Sequence, residues 1–284
     1  MPILTMDDQP IRLYLDLLKK ALAYTLWPEP PHPVDEYIQF RLPLKQKIVA
    51  WLYRLLSALD RDIRVVRDIK VAPEARAEGR FWPAYADTMI GLKRLDNLQA
   101  CVETVIKEKI EGDLIETGVW RGGACIFMRG ILAAYGVTDR TVFVADSFQG
   151  LPEPDSAEHP LDKEDNLHSV EYLKVSKAAV MNNFRRYGLL DDQVAFIAGW
   201  FKDTLNDPRL KKLALIRLDG DMYGSTIEAL DALYPKLSRG GFCIIDDYGA
   251  LEPCRRAVDD YRSARGITAE LIKIDWTGCY WRKE

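Results

Sequence analysis

From Asp113 onward, short apolar runs alternate with amphipathic stretches. The runs DLIETGV, TVFVAD, QVAFIAG, LALIRLD and GGFCIID are nearly continuous in apolar residues rather than alternating. That is the pattern of strands covered on both faces. Between them, residues 122–135, 171–187, 225–237 and 253–264 read as helices. ELIKID and GCYWRK predict a closing antiparallel pair. This order predicts an α/β protein with a doubly wound, Rossmann-like sheet and helices on each side. Residues 1–80 read instead as a mostly helical extension to a domain spanning 81–284. Leu13, Leu17, Leu18 and Leu22 mark a helix over 11–27, a proline-rich break follows over 28–33, and 47–69 is a second amphipathic stretch. There Ile48, Val49, Leu52, Leu55, Leu56 and Leu59 share one side. Its basic residues suit a membrane surface, but its apolar side fits packing on the main domain or on a second subunit better. The extension is therefore expected to act as a lid or an oligomer contact.

Composition narrows the classes. The 284 residues are 48% hydrophobic and 29% charged, enough for a sizeable core. A net charge of -4 with dispersed basic residues argues against a nucleic-acid partner. Five cysteines with no CxxC pair fit a reduced, cytoplasmic protein. The N-terminus lacks the basic start and apolar stretch of a signal peptide, and no apolar run reaches membrane-spanning length. Residues 151–170 are polar and proline-bearing just after a strand end, which predicts a mobile loop over a crevice.

Three aspartates carry the chemistry. Asp219 ends LALIRLD, and Asp246 and Asp247 end GGFCIID. Ligands of open α/β sheets bind at the carboxyl ends of the strands. Carboxylates gathered there repel one another unless a cation or protons intervene, so the three predict a hard divalent metal site such as Mg²⁺. The first strand runs into Glu116-Thr117-Gly118-Val119-Trp120-Arg121-Gly122-Gly123, which is not the G-x-G-x-x-G of nicotinamide binders. A glycine turn before a helix N-terminus admits an anionic ligand, and Asp146 at the second strand end is placed to accept from ribose hydroxyls. Together they fit S-adenosylmethionine better than NAD. Gly199 and Trp200 end the third run, where the indole either stacks on adenine or is core. Asp221 is a candidate general base if the strand persists through it; otherwise it caps the helix near Ser225 or sits in an ion pair. His168, in the 151–170 loop, is a second candidate base or a solvated side chain.

In order, TMIGLKRLDNLQ, GDLIETGVWRGGA, VADSFQGLPEPD, GWFKDTL, RLDGDMYGSTIEAL and GGFCIIDDYGA closely resemble the macrocin O-methyltransferase (TylF) family, which includes the mycinamicin and novobiocin sugar O-methyltransferases. The resemblance covers residues 78–284. It implies a SAM-dependent methyltransferase fold and a SAM- and Mg²⁺-dependent transfer of methyl to a sugar hydroxyl of a glycosylated natural product, in secondary metabolism. It makes Asp219, Asp246 and Asp247 metal ligands and Asp221 the base, with His168 an alternative. It assigns SAM contacts to Thr88, Met89, Glu116, Thr117, Gly118, Val119, Trp120, Asp146, Ser147, Phe148, Gln149 and Gly150. The implied acceptor is a small glycoside; further copies of the chain are expected as partners through the N-terminal extension. A catechol or phenolic O-methyltransferase is the first alternative. A non-catalytic SAM-binding module is the second, and the costly cluster of like charges argues against it.

Overall fold

The apolar runs become the strands of a seven-stranded sheet in a computed structural model that describes residues 9–28, 30–33, 44–60, 66–67 and 71–284. The strands are β1 Asp113–Thr117, β2 Val142–Asp146, β3 Val194–Ala198, β4 Leu213–Leu218, β5 Leu237–Ile245, β6 Ile272–Lys273 and β7 Cys279–Arg282. Their order is β3-β2-β1-β4-β5-β7-β6. The first five are parallel, and β7 pairs antiparallel with both β5 and β6. Every residue of β4 is buried, as a strand apolar but for Arg217 and covered on both faces requires. The order reverses between β1 and β4, and ligands of such sheets sit in the crevice at that reversal.

The longer helices are α1 Gln9–Leu22, α2 Leu44–Leu59, α3 Leu92–Lys107, α4 Gly123–Ala134, α5 Lys177–Arg186, α6 Tyr223–Leu233 and α7 Glu252–Ala264. Alternate residues of each strand face opposite layers. Leu114 and Val144 join a core with Leu98, Phe127 and Phe184, whereas Ile115, Phe143 and Ile216 join one with Leu230, Val258 and Trp281. α1 belongs to the first of these cores, through Leu15, Leu18 and Leu22. Its crossing with α4 depends on Gly130, where a Cβ would lie 2.4 Å from Leu18 Cδ2. α1 ends at Leu22, short of the expected 27, because Tyr24 turns left-handed at φ 54°.

α2 differs. Ile48, Trp51, Leu52, Leu55 and Leu59 on it are exposed. Of the predicted 47–69 stretch, 61–65 and 68–69 lie outside the described residues, and Val66–Arg67 pairs with His32–Pro33 in a short antiparallel ladder. The helix expected over 171–187 starts only at Lys177. Ser176 caps it by accepting from the Ala179 N–H at 3.3 Å, and Glu171–Leu173 is a separate 3₁₀ turn. All five cysteines are buried and unpaired. Among the described residues no helix is long and apolar enough to cross a membrane.

Candidate active site

The turn after β1 is built on backbone contact. Gly118 N–H donates to Ala145 O at 3.0 Å, extending the β1–β2 ladder by one residue. The chain then turns left-handed at Gly118, Trp120 and Gly122. A Cβ on Gly118 would lie 1.7 Å from the carbonyl oxygen of Asp219, so the ends of β1 and β4 meet with no room for a side chain. Asp146 braces the turn by accepting from Val119 N–H at 2.7 Å and Phe148 N–H at 2.6 Å. The strained Trp120 is held by its indole N–H on Tyr172 O at 3.0 Å and by the Arg121 guanidinium 4.2 Å over its ring. Gly118→Ala is expected to destabilise the protein by on the order of 4 kcal/mol and to abolish cofactor binding. Urea unfolding and calorimetry with S-adenosylhomocysteine check both, and a variant of wild-type stability would refute this account of the turn.

One cavity opens over these strand ends. Met89, Gly118, Trp120, Asp146, Ser147, Gly150 and Trp200 line it, together with Asp219 and Asp221. Asp146 faces this cavity while its carboxylate takes hydrogen bonds from the turn. The other residues expected at the cofactor stand behind the lining of this cavity rather than in it. Thr88 Oγ1 accepts from Ile90 N–H at 3.3 Å, Gln149 N–H donates to Ser147 Oγ at 3.0 Å, and Phe148 packs on Phe196. Thr117 is fully buried, Val119 gives its N–H to Asp146, and a Cβ on Gly199 would meet Thr204 at 2.6 Å. Glu116 lies beneath the turn, where it pairs with Arg217 and accepts from Cys125 Sγ at 2.9 Å. Burial pushes its carboxyl up to about 7 despite the guanidinium.

The acidic residues sort into two groups. Asp219, Asp221 and Asp247 converge, with ligand oxygens all within 4.8 Å of one another. Asp246, expected among them, instead places one oxygen on Arg94 and the other on Arg217. Burial opposes its charge, but the two guanidinia hold its carboxyl below the usual range. Arg217 also reaches Asp219 Oδ2 at 2.9 Å, and Arg94 reaches Asp275 at 3.1 Å. Burial first, then the neighbouring carboxylates, raises Asp219 to about 6 and pushes Asp221 and Asp247 well up. Asp247 Oδ2 is buried without a hydrogen-bond partner. Three crowded carboxylates with an unused buried oxygen suit the all-oxygen shell of a hard divalent cation.

Asp221 does not cap the following helix. It stands left-handed at φ 58°, and the α6 cap position is Met222. Of the loop histidines, His159 lines the cavity, whereas His168 lies outside its wall with Nδ1 buried and unpartnered. Sequence reasoning passed over Arg94, Arg217, His159 and Asp162. Only Arg217 announced itself, as a lone charge inside an apolar strand, which must find buried partners.

A reversed parallel sheet with an antiparallel seventh strand, a glycine turn and an acidic second-strand end define a Rossmann-like methyltransferase. The profile of the macrocin O-methyltransferase (TylF) family matches residues 11–283. The chain belongs to that family and is an O-methyltransferase; the family implies S-adenosylmethionine as methyl donor. The match takes in α1 as well as the 78–284 region. The chain is 47% identical to mycinamicin III 3''-O-methyltransferase of Micromonospora griseorubida, over 96% of this chain and 97% of that one. It is 48% identical to 8-demethyl-8-(2,3-dimethoxy-alpha-L-rhamnosyl)-tetracenomycin-C 4'-O-methyltransferase of Streptomyces olivaceus, over 98% of this chain and 95% of that one. Among solved structures, the O-methyltransferase NovP superposes with a TM-score of 0.81 at 47% identity, covering 96% of this chain and 99% of NovP.

Proposed function

We propose that this enzyme methylates a hydroxyl of a sugar carried by a glycosylated natural product, with Mg²⁺ beside the acceptor. The observation that carries the reading is the Asp219–Asp221–Asp247 cluster at the edge of the cavity that also holds the glycine turn. The relatives support the acceptor class, since one is named for a rhamnosyl-bearing substrate. Bound S-adenosylmethionine supplies the electrophilic methyl group. Bound Mg²⁺ would lower the pKa of an acceptor hydroxyl and fix its direction.

This chain's residues do the rest. Gly118, Asp146 and Trp200 position the donor, and most of the rate gain comes from holding the hydroxyl in line with it. Asp219 and Asp247 hold the cation. Asp246 backs them with the lone pairs its two arginines leave free. Asp221 lines the cavity, and burial and the neighbouring carboxylates push its carboxyl upward, as suits a group that takes a proton.

The test is a panel of glycosides and catechols assayed with Mg²⁺ and with EDTA. Turnover on a glycoside that EDTA abolishes is expected. Turnover on catechols alone, or full activity in EDTA, would overturn the acceptor or the metal assignment respectively. Asp221→Asn is expected to lower kcat about a hundredfold while leaving Mg²⁺ affinity within about threefold, since ligation stays with the other aspartates. Loss of Mg²⁺ binding in that variant would move Asp221 from base to ligand.

A further inference from the structure

Residues 151–176, between β2 and α5, roof the cavity with Leu151, Pro152 and His159. One buried carboxylate fastens this roof. α6 starts without a cap of its own, because Met222 at the cap position makes no side-chain hydrogen bond. Asp162 supplies the cap from the roof. Its Oδ1 accepts from Tyr223 N–H at 2.7 Å, its Oδ2 accepts from Gly224 N–H at 2.9 Å, and the residue is 1% exposed. An anionic acceptor at a helix N-terminus is favourable both as a cap and toward the helix dipole. Gly224 lets the roof come close, since a Cβ there would sit 2.5 Å from His159 Cδ2. The capped backbone begins two residues after Asp221, which stands left-handed, and Met222 N–H closes the tight turn on Gly220 O at 2.5 Å.

We propose that Asp162 is a positioning residue of this methyltransferase. It latches 151–176 over the cavity, and it fixes the backbone turn that presents Asp221. Residues 151–170, expected from sequence as a mobile loop, are in this view a lid whose closed state is set by one carboxylate on two amides. The proposal rests on reading the cavity as the methyl-donor site.

The test uses the full-length protein, Asp162→Ala and Asp162→Asn, with S-adenosylhomocysteine as the probe. Stopped-flow tryptophan fluorescence, reporting Trp120 and Trp200 in the cavity wall, gives the release rate. Limited proteolysis with mass mapping gives the opening of 151–176. Asp162→Ala is expected to raise both rates roughly tenfold, the size of losing a good helix cap. Asp162→Asn, which keeps one acceptor, should fall between. A purely structural role would lower the thermal midpoint without changing the release rate, and that outcome overturns the proposal. So do wild-type proteolysis, or faster proteolysis with unchanged release. Should Asp162→Ala fail to fold, Gly224→Ala, which drives His159 from its seat, is read by the same two rates with the same consequences. If the wild-type protein binds no S-adenosylhomocysteine, the donor-site reading fails, while the proteolysis arm still judges the latch.

Discussion

Asp247→Asn is expected to abolish methyl transfer and, in the metal-free protein, to raise stability. The activity loss follows from the cluster. With Asp247 neutralised, Asp219 faces the cation with one fewer charged partner, and the electrostatic help a bound divalent ion gives is worth several kcal/mol. At about 1.4 kcal/mol per decade, that is on the order of a thousandfold in rate. The stability gain follows from the same crowding. Burial and the carboxylates of Asp221, Asp219 and Asp246 push the Asp247 carboxyl well above its unfolded value of roughly 3.9. A carboxyl raised on folding favours the folded state below its unfolded pKa, and that contribution is lost as pH rises through the folded value. The metal-free wild type should therefore lose stability from about pH 4 upward. Asp247→Asn should lose less, and saturating Mg²⁺ should erase the difference by stabilising only the wild type. Thermal melts at pH 5 and pH 8, each with EDTA and with Mg²⁺, check this. A variant less stable than wild type at pH 8 in EDTA would show that Asp247 is not crowded by its neighbours.

The sheet was legible because its strands are covered on both faces and so read as unbroken apolar runs. The ends of β4 and β5 were legible for a related reason: Asp219, Asp246 and Asp247 interrupt such runs abruptly. What periodicity does not carry is which way a carboxylate at a strand end turns. Asp246 and Asp247 are neighbours in sequence, yet one faces the two arginines and the other the cavity-side cluster. That difference depends on Arg94, which comes from α3, an element whose helical character went unread among the motif residues after Thr88. Asp221 joins the cluster only because its backbone turns left-handed, a conformation non-glycine residues seldom adopt. The roof was legible as a loop but not as a fastened one, since its fastening is a contact between Asp162 and two amides remote in sequence. In α1, the stripe of leucines gave the helix but not its partner. Gly130 on α4 supplies the close approach that draws it into the main core.

Arg217→Met is expected to be the most destabilising single change near the site. The guanidinium is 1% exposed and contacts Glu116, Asp219 and Asp246 at once. Methionine fills similar space and removes the charge, leaving Arg94 on Asp246 and taking the guanidinium away from Glu116 and Asp219. Breaking a buried ion pair from one side typically costs about 3–5 kcal/mol, which for a chain of this size lowers the melting temperature by roughly 10 °C. The pH dependence separates this from a packing defect. Even beside Arg217 the Glu116 carboxyl stands near 7, well above its unfolded value, chiefly through burial; without the guanidinium it stands higher still. The contribution of such a raised group is intact below its unfolded pKa and is lost as pH rises through the folded one. The gap between variant and wild type should therefore be narrower near pH 4, where Glu116 and Asp219 are protonated and Asp246 is the anionic partner left to Arg217, and wide at pH 8. A gap that stays constant from pH 4 to pH 8 would mean that Arg217 supports the strand by packing. A widening gap would place it as the counter-charge that lets five acidic residues stand at the mouth of one sheet.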